Sequence, residues 1–431
     1  MVPDEPAADV ISGGRDPDRR RAGPWRPVVA AAAALLVAGG IAVHLSQGGS
    51  PRPPRHPQGT PSAVVLAAPT MLGGTPLRPG GAPGTALFLG GSELRIFNVH
   101  GQVPASPSGI PLGAGQAGDE LGPDPAVQQI TSVAGGVAVL VFDHGAAGLP
   151  DLGDVLFVPV GASGAGSPRL IARANYMAVA PDHRDIWVEQ AGPPWGNGPA
   201  GNPTWLVDES GHRVSGARGL QGRALIAATA RGLLVRGADQ TLALIDPANG
   251  RRERTAIPGN AILAGADAGH VAWQPASCGP PCPLHVTDVR GGPDTQVALP
   301  PRTVINLNDT SDFDPAGRRF ALALDTINAQ GADTGTNVYV ADLGSRTLAR
   351  VPGAPVPVAA LPAVPGAFPA GTTDVVSARW AADGTGLWIV ATDGLYFQAA
   401  YWTGHGPLRV LAPQPGLAYK FDVPGTSAPG L

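Results

Sequence analysis

The sequence predicts an all-β fold, a β-propeller of about seven four-stranded blades, preceded by one N-terminal transmembrane helix. Three observations predict it. Ser377 to Gln398 reads as strand, tight turn, strand, tight turn, strand, with Asp383-Gly384 and Asp393-Gly394 at the turns. Glycine there supplies the positive φ that a hairpin needs. Weaker copies of this unit recur along the chain at roughly 40 to 50 residues, the spacing of propeller blades. Ahead of them lies an 18-residue apolar run, Val28 to Leu45.

Composition is consistent with many short strands joined by turns. Gly 61 and Pro 48 are abundant, yet 43% of the 431 residues are hydrophobic and only 14% are charged. That balance does not favour disorder. Net charge is −4 with no long basic run, so no nucleic-acid partner is expected. Lysine occurs once, at Lys420, while arginine is frequent.

Residues 1–24 are polar and read as a disordered cytoplasmic tail, with the transmembrane segment at 25–46. The run Val28–Leu45 is near the lower limit for crossing a bilayer core of roughly 30 Å. Trp25 sits where an interfacial anchor belongs. Arg15, Arg19, Arg20, Arg21 and Arg26 precede the run, and only Arg52 and Arg55 follow it closely. The positive-inside rule therefore predicts a single-pass cell-membrane protein, N-terminus cytoplasmic and C-terminal domain extracytoplasmic, whose bilayer contact is residues 28–45. A cleaved secretory signal and a buried soluble helix are the alternatives; the first lacks a clear Ala-x-Ala site and has a long leading region. Residues 47–84 are rich in Pro and Gly and read as a spacer. Within it, Ala63 to Ala68 is an apolar patch able to dock as an edge strand.

The propeller is placed at 85–423 and a flexible C-terminus at 424–431. Val137, Ile186, Leu233, Val271, Phe320 and Leu387 align as equivalent positions, each in an apolar strand after a turn. A Pro-rich insertion between Val351 and Thr373 stretches the last gap. Strands beginning at Thr204, Leu242, Leu284 and Asn337 each run into a turn led by Asp208, Asp246, Asp288 or Asp342, with glycine downstream. An atypical first blade is assigned to Thr85–Leu89 and Glu93–Phe97. The β-like run Leu417–Val423 is expected to pair into that first blade and close the ring.

Phe313 to Ala321, with Asp-Pro-Ala-Gly at its turn, and Trp380 to Trp388, with Ala-Asp-Gly, resemble the strand–Ser-Pro-Asp-Gly–strand motif of TolB-type and WD-like propeller repeats. Val179 to Trp187 is a third copy that keeps Pro-Asp but has His183 in place of glycine. The resemblance departs at Ala381 and Ala382, and no Trp-Asp dipeptide ends a blade. It implies a bacterial envelope protein with a protein or envelope partner.

Candidate chemistry is sparse. Cys278 and Cys282 are the only cysteines, and outside the membrane they read as a hairpin disulfide; free thiols, or a metal site with His285, are the alternatives. Asn306 to Asp314 is oxygen-rich but lacks the glycine and final Glu of a calcium loop, so it reads as a turn leading into a blade. Asp182, Asp267 and Asp383 hold matching places in three repeats, which points to turn support. His144, His183, His212 and His270 are scattered singly. Trp195 and Trp402 lie in Gly/Pro-rich stretches and are the candidates for partner contact, with packing as the alternative. No catalytic, cofactor or metal residue is assigned. The expected function is a membrane-anchored binding scaffold for a protein or glycan. The alternative is a lyase or hydrolase of envelope carbohydrate, which would need charged groups converging at the ring axis.

Overall fold

The computed structural model describes residues 72–76, 86–90, 94–98, 126–142, 152–161, 164–190, 203–279, 281–306, 311–330, 333–357, 375–381, 383–392, 396–415 and 420–422. All belong to one compact unit, Thr60–Leu431. The predicted helix at 25–46, the apolar patch at 63–68 and Trp195 lie outside the described residues. Among the described residues no helix is long and apolar enough to cross a membrane.

Six blades follow one another as antiparallel meanders. Blade 1 begins with Ala126–Val133, Gly136–Phe142, Gly153–Gly161 and Arg169–Ala174. Blade 2 has Tyr176–Val179, Ile186–Glu189, Thr204–Val207 and Arg213–Gly216. Blade 3 has Arg223–Thr229, Gly232–Gly237, Leu242–Ile245 and Arg252–Arg254. Blade 4 has Ile262–Ala266, His270–Gln274, Leu284–Asp288 and Asp294–Val297. In blade 5 the inner strand is split, Thr303–Ile305 and Asp312–Phe313 both pairing with Arg319–Ile327, before Asp333–Asp342 and Thr347–Pro357. Blade 6 has Val375–Trp380, Leu387–Thr392, Tyr396–Trp402 and Arg409–Val410.

The aligned residues mark these blades one for one. Val137, Ile186, Leu233, Val271, Phe320 and Leu387 each sit in the second strand of their blade, and all are buried. The strands that run into Asp-led turns are the third strands of blades 2 to 5.

The count of full blades is a correction. Six, not about seven, have four or more strands among the described residues. The atypical first unit supplies only a hairpin, Ala86–Gly90 with Leu94–Asn98. Its third strand is Lys420–Asp422 from the C-terminus, paired antiparallel with Phe88–Gly90. That strand also lies against the inner strands of blades 1 and 6, so the expected ring closure is present in the backbone.

Each blade interface is a separate apolar layer. Blades 1 and 2 share Leu140, Phe157, Ile186 and Val188. Blades 2 and 3 share Trp187, Leu225 and Val235. Leu234, Leu244, Val271 and Trp273 join blades 3 and 4, and Leu284, Val286, Phe320 and Leu322 join blades 4 and 5. Trp380, Leu387, Val338 and Val351 join blades 5 and 6. A fully buried leucine contributes about 1.5–3 kcal/mol of hydrophobic free energy, so every interface rests on several such side chains.

Part of the predicted spacer, residues 72–76, belongs to the fold. Leu72 is fully buried in the layer between blades 5 and 6. Its N–H donates to Gln398 Oε1 at 2.8 Å, Gly73 N–H to Gly353 O at 2.9 Å and Thr75 N–H to Leu408 O at 2.9 Å. Thr75 and Pro76 then add to blade 6 as a parallel edge strand beside Arg409 and Val410. A Cβ on Gly353, where φ is +75°, would collide with Gly73 O, so this clasp requires glycine.

Removing residues 417–431 takes away the closing strand and about three residue pairs, each hydrogen bond worth about 1 kcal/mol. The thermal midpoint of that truncation is expected to fall by about 5 °C in calorimetry. An unchanged midpoint would contradict the closure.

Candidate functional site

In a propeller the strand edges nearest the axis carry backbone N–H groups with no neighbouring strand, and a buried one left unpaired costs free energy. This chain satisfies three of them with a side chain from the preceding blade. Gln129 Oε1 accepts Met177 N–H at 2.9 Å, from blade 2. Glu189 Oε2 accepts Leu225 N–H, from blade 3. Asp312 Oδ2 accepts Trp380 N–H at 3.0 Å, from blade 6. Tyr176 adds a donor in the same sense, its hydroxyl reaching Ile226 O at 2.5 Å. Gln129, Tyr176 and Glu189 thus tie blades 1, 2 and 3 together.

Glu189 is 5% exposed, a carboxylate inside the protein. Burial pushes the Tyr176 phenol above its ordinary pKa; the Gln129 hydrogen bond opposes this and the charge of Glu189 reinforces it.

The turn aspartates do what repeat equivalence predicts. Asp182 Oδ1 accepts Arg184 N–H at 2.9 Å, Asp267 Oδ1 accepts Gly269 N–H at 2.7 Å, and Asp383 Oδ1 accepts Thr385 N–H at 2.9 Å. Asp208, Asp246, Asp288 and Asp342 cap their own turns likewise. His183 has φ +55°, matching Gly317 (+62°) and Gly384 (+68°) at the equivalent turn position. The departure from the repeat motif therefore keeps the left-handed backbone that glycine adopts more readily.

Of the acids in the Asn306–Asp314 stretch, Asp309 lies outside the described residues, and Asp312 and Asp314 meet different partners. Asp312 faces blade 6, as above. Asp314, almost fully buried, accepts Arg318 N–H at 2.7 Å and pairs with Arg319 Nε at 2.8 Å. The Arg319 guanidinium then lies 4.1 Å from the Trp380 ring centroid and donates to Gly384 O at 3.0 Å. Asn306 Nδ2 donates to Asp325 at 2.9 Å. Among the described residues no group of three or more His, Cys, Asp or Glu side chains is arranged to hold a metal ion.

Of the residues proposed from sequence, Cys278 and Cys282 are joined, Cα–Cα 5.6 Å, in the hairpin between the second and third strands of blade 4. His285 is engaged elsewhere: its Nδ1 lies 2.7 Å from Asp294 Oδ2 and its ring stacks on Trp273 at 4.3 Å. Trp402 corrects the expectation of an exposed contact aromatic. It is 7% exposed, packs in the layer between blades 5 and 6, and donates its indole N–H to Gly406 O at 3.2 Å. The large side chain was drawn into the core because its strand has a covered face on each side. Sequence reading missed the roles of Gln129, Tyr176, Glu189 and Arg319: Tyr176 and Glu189 stand at strand ends, Gln129 lies inside Ala126–Val133, and Arg319 lies in the Phe313–Ala321 repeat with no role read for it.

No protein-family profile matches the chain, and no curated protein sequence matches it. Solved structures do. TolB from Acinetobacter baumannii is 13% identical, with a TM-score of 0.40 over 63% of this chain and 63% of that one. The GH74 xyloglucanase from Xanthomonas campestris is 14% identical, with a TM-score of 0.45 over 81% and 55%. A post-proline cleaving enzyme from Rickettsia typhi is 10% identical, with a TM-score of 0.43 over 79% and 53%. The matched region spans less than two thirds of each of those chains. At such identities the likeness is one of fold, and no activity is carried over from it.

Two measurements probe these contacts. Glu189→Ala leaves Leu225 N–H buried without its acceptor and is expected to cost about 1–3 kcal/mol in chemical denaturation. Glu189→Gln, which keeps an acceptor, is expected to cost less. The second concerns pH. His270 hydrogen-bonds Asp267 (3.3 Å), stacks on Phe313 of blade 5 at 5.5 Å, and has its pKa raised chiefly by that Asp267 contact. A raised folded-state pKa gives stability that is fully present below the unfolded value, about 6.5, and is lost as pH rises through the folded value. Asp267→Asn retains the turn acceptor but not the charge. The parent is expected to lose stability relative to this variant between pH 6 and pH 8; parallel pH profiles would rule the coupling out.

Proposed function

We propose that this chain is a membrane-anchored, extracytoplasmic β-propeller that binds a protein or envelope component as a scaffold. One observation carries the preference for binding over catalysis. Three polar side chains that reach the inner strand of the next blade, Gln129, Glu189 and Asp312, are each committed to a backbone N–H there. A hydrolase or lyase would need an acid and a base facing a shared substrate position.

The anchor rests on the apolar run Val28–Leu45 and the excess of arginine before it. The clasp at Leu72–Pro76 holds part of the spacer against blades 5 and 6. A spacer held at a blade edge leaves loops of the remaining blades available to a partner. The three envelope-type features together (anchor, spacer and rigid ring) suit a presenting scaffold.

The test is fractionation of cells expressing the full chain, followed by affinity capture from envelope extract. The chain is expected to stay with membranes after an alkaline carbonate wash, to be cleaved by protease added outside the cell, and to enrich one envelope protein or glycan. Recovery in the wash, protection from outside protease, or turnover of an envelope carbohydrate by the purified chain would each overturn this reading.

A further inference from the structure

The outer rim where blades 2 and 3 meet is rich in arginine. Between Asp208 and Arg254 there are eight arginines and five carboxylates, in a chain whose net charge is −4. Three of the acids, Asp208, Asp239 and Asp246, turn their oxygens into their own turns, accepting Ser210, Thr241 and Ala248 N–H. The arginines are distributed differently. The outermost strand of blade 2, Arg213–Gly216, is exposed throughout, and Arg252 and Arg254 are exposed on the outermost strand of blade 3.

The two blades bring these groups to one seam. Arg218 N–H donates to Pro247 O at 3.0 Å. Next to it, Gly219 and Gly250, both at φ +76°, approach so closely that a Cβ on Gly219 would lie 2.9 Å from Gly250 Cα. Arg218 precedes the first glycine and Arg251 follows the second, so this backbone contact brings arginine-bearing positions of both blades to one seam. Several are held in position. Arg213 lies over the Trp205 ring at 5.4 Å, Arg252 donates to Thr241 Oγ1 at 3.1 Å, and Arg251 is 3.8 Å from Glu253, which Arg231 also engages at 2.7 Å. Arg218 and Arg254 have no carboxylate partner among the described residues.

We propose that this arginine seam between blades 2 and 3 binds a linear, phosphate-bearing anionic polymer. The inference rests on the scaffold reading and names the chemistry of one partner. Guanidinium groups present paired N–H donors that match the oxygens of a phosphate, and an exposed row of them on two blades suits repeated charges along a chain. An added peptide strand is disfavoured, because the edges on offer are only four and three residues long.

The test uses the full chain in a neutral detergent, titrated with sodium polyphosphate, polygalacturonate and uncharged dextran. Polyphosphate is expected to bind more tightly than polygalacturonate, with dextran inert and with affinity falling linearly in log K against log salt. Arg218→Gln/Arg251→Gln/Arg254→Gln is expected to weaken polyphosphate at least tenfold and to flatten that slope by about 2, roughly 0.7 per lost contact. Arg169→Gln/Arg173→Gln, on blade 1, is expected to change neither. Should the triple variant misfold, Arg254→Gln alone is read for a smaller loss of the same sign. Unchanged affinity in the seam variants, equal loss in the blade 1 variant, or preference for polygalacturonate overturns the proposal. A chain that resides in the membrane and enriches an envelope partner yet ignores polyphosphate overturns this inference alone.

Discussion

Most blades of this protein offer apolar side chains on both sheet faces. In blade 6 all six residues of Leu387–Thr392 are buried, and in blade 3 all four of Leu242–Ile245 are. A sheet of that kind is stable only when another sheet covers each side. Stacking in a line would leave two apolar ends, whereas a ring leaves none. The demand then falls on the place where the two chain ends meet. Here a hairpin at Ala86–Asn98 and a returning strand at Lys420–Asp422 complete the circuit with three strands. The whole stack of interfaces depends on that closure, because a propeller opened there exposes the faces of blades 1 and 6.

Apolar layers set the distance between blades, but they do not fix one blade's height against the next. Polar contacts supply that register. The Glu189 contact with Leu225 N–H, the Gln129 contact with Met177 N–H and the Arg319 contact with Gly384 O each join one backbone to a side chain from another blade. Such bonds contribute modestly when made, while a buried donor left unmade costs about 1–3 kcal/mol. They penalise slippage more than they add stability. The Leu72 clasp extends the same logic to the spacer, where Leu72, Gly73 and Thr75 are held by Gln398 and by backbone carbonyls of blades 5 and 6.

The blades also differ at the rim. The turns are built from a common Asx device, Asp208, Asp246, Asp288 and Asp342 all accepting nearby N–H groups. Charge is not repeated in that way. The arginines of Arg213–Arg254 belong to two blades only, and two exposed large hydrophobics, Leu170 and Val214, sit on outermost strands of blades 1 and 2.

The sequence by itself determined the repeat. Strand periodicity and Asp-Gly turns are local signals, and they located the second strand of all six blades, the third strand of four, the turn role of Asp182, Asp267 and Asp383, and the pairing of Cys278 with Cys282. Tertiary structure decided what depends on distant partners. That the first unit is a hairpin completed by the C-terminus, that Leu72 belongs to the core, that Trp402 is covered and that Glu189 meets Leu225 are all consequences of which strand edge lies opposite which. The physical reason is one of range: a turn satisfies its own backbone within five residues, whereas a blade satisfies its edges and faces only with residues of another blade, dozens to hundreds of positions away in the chain.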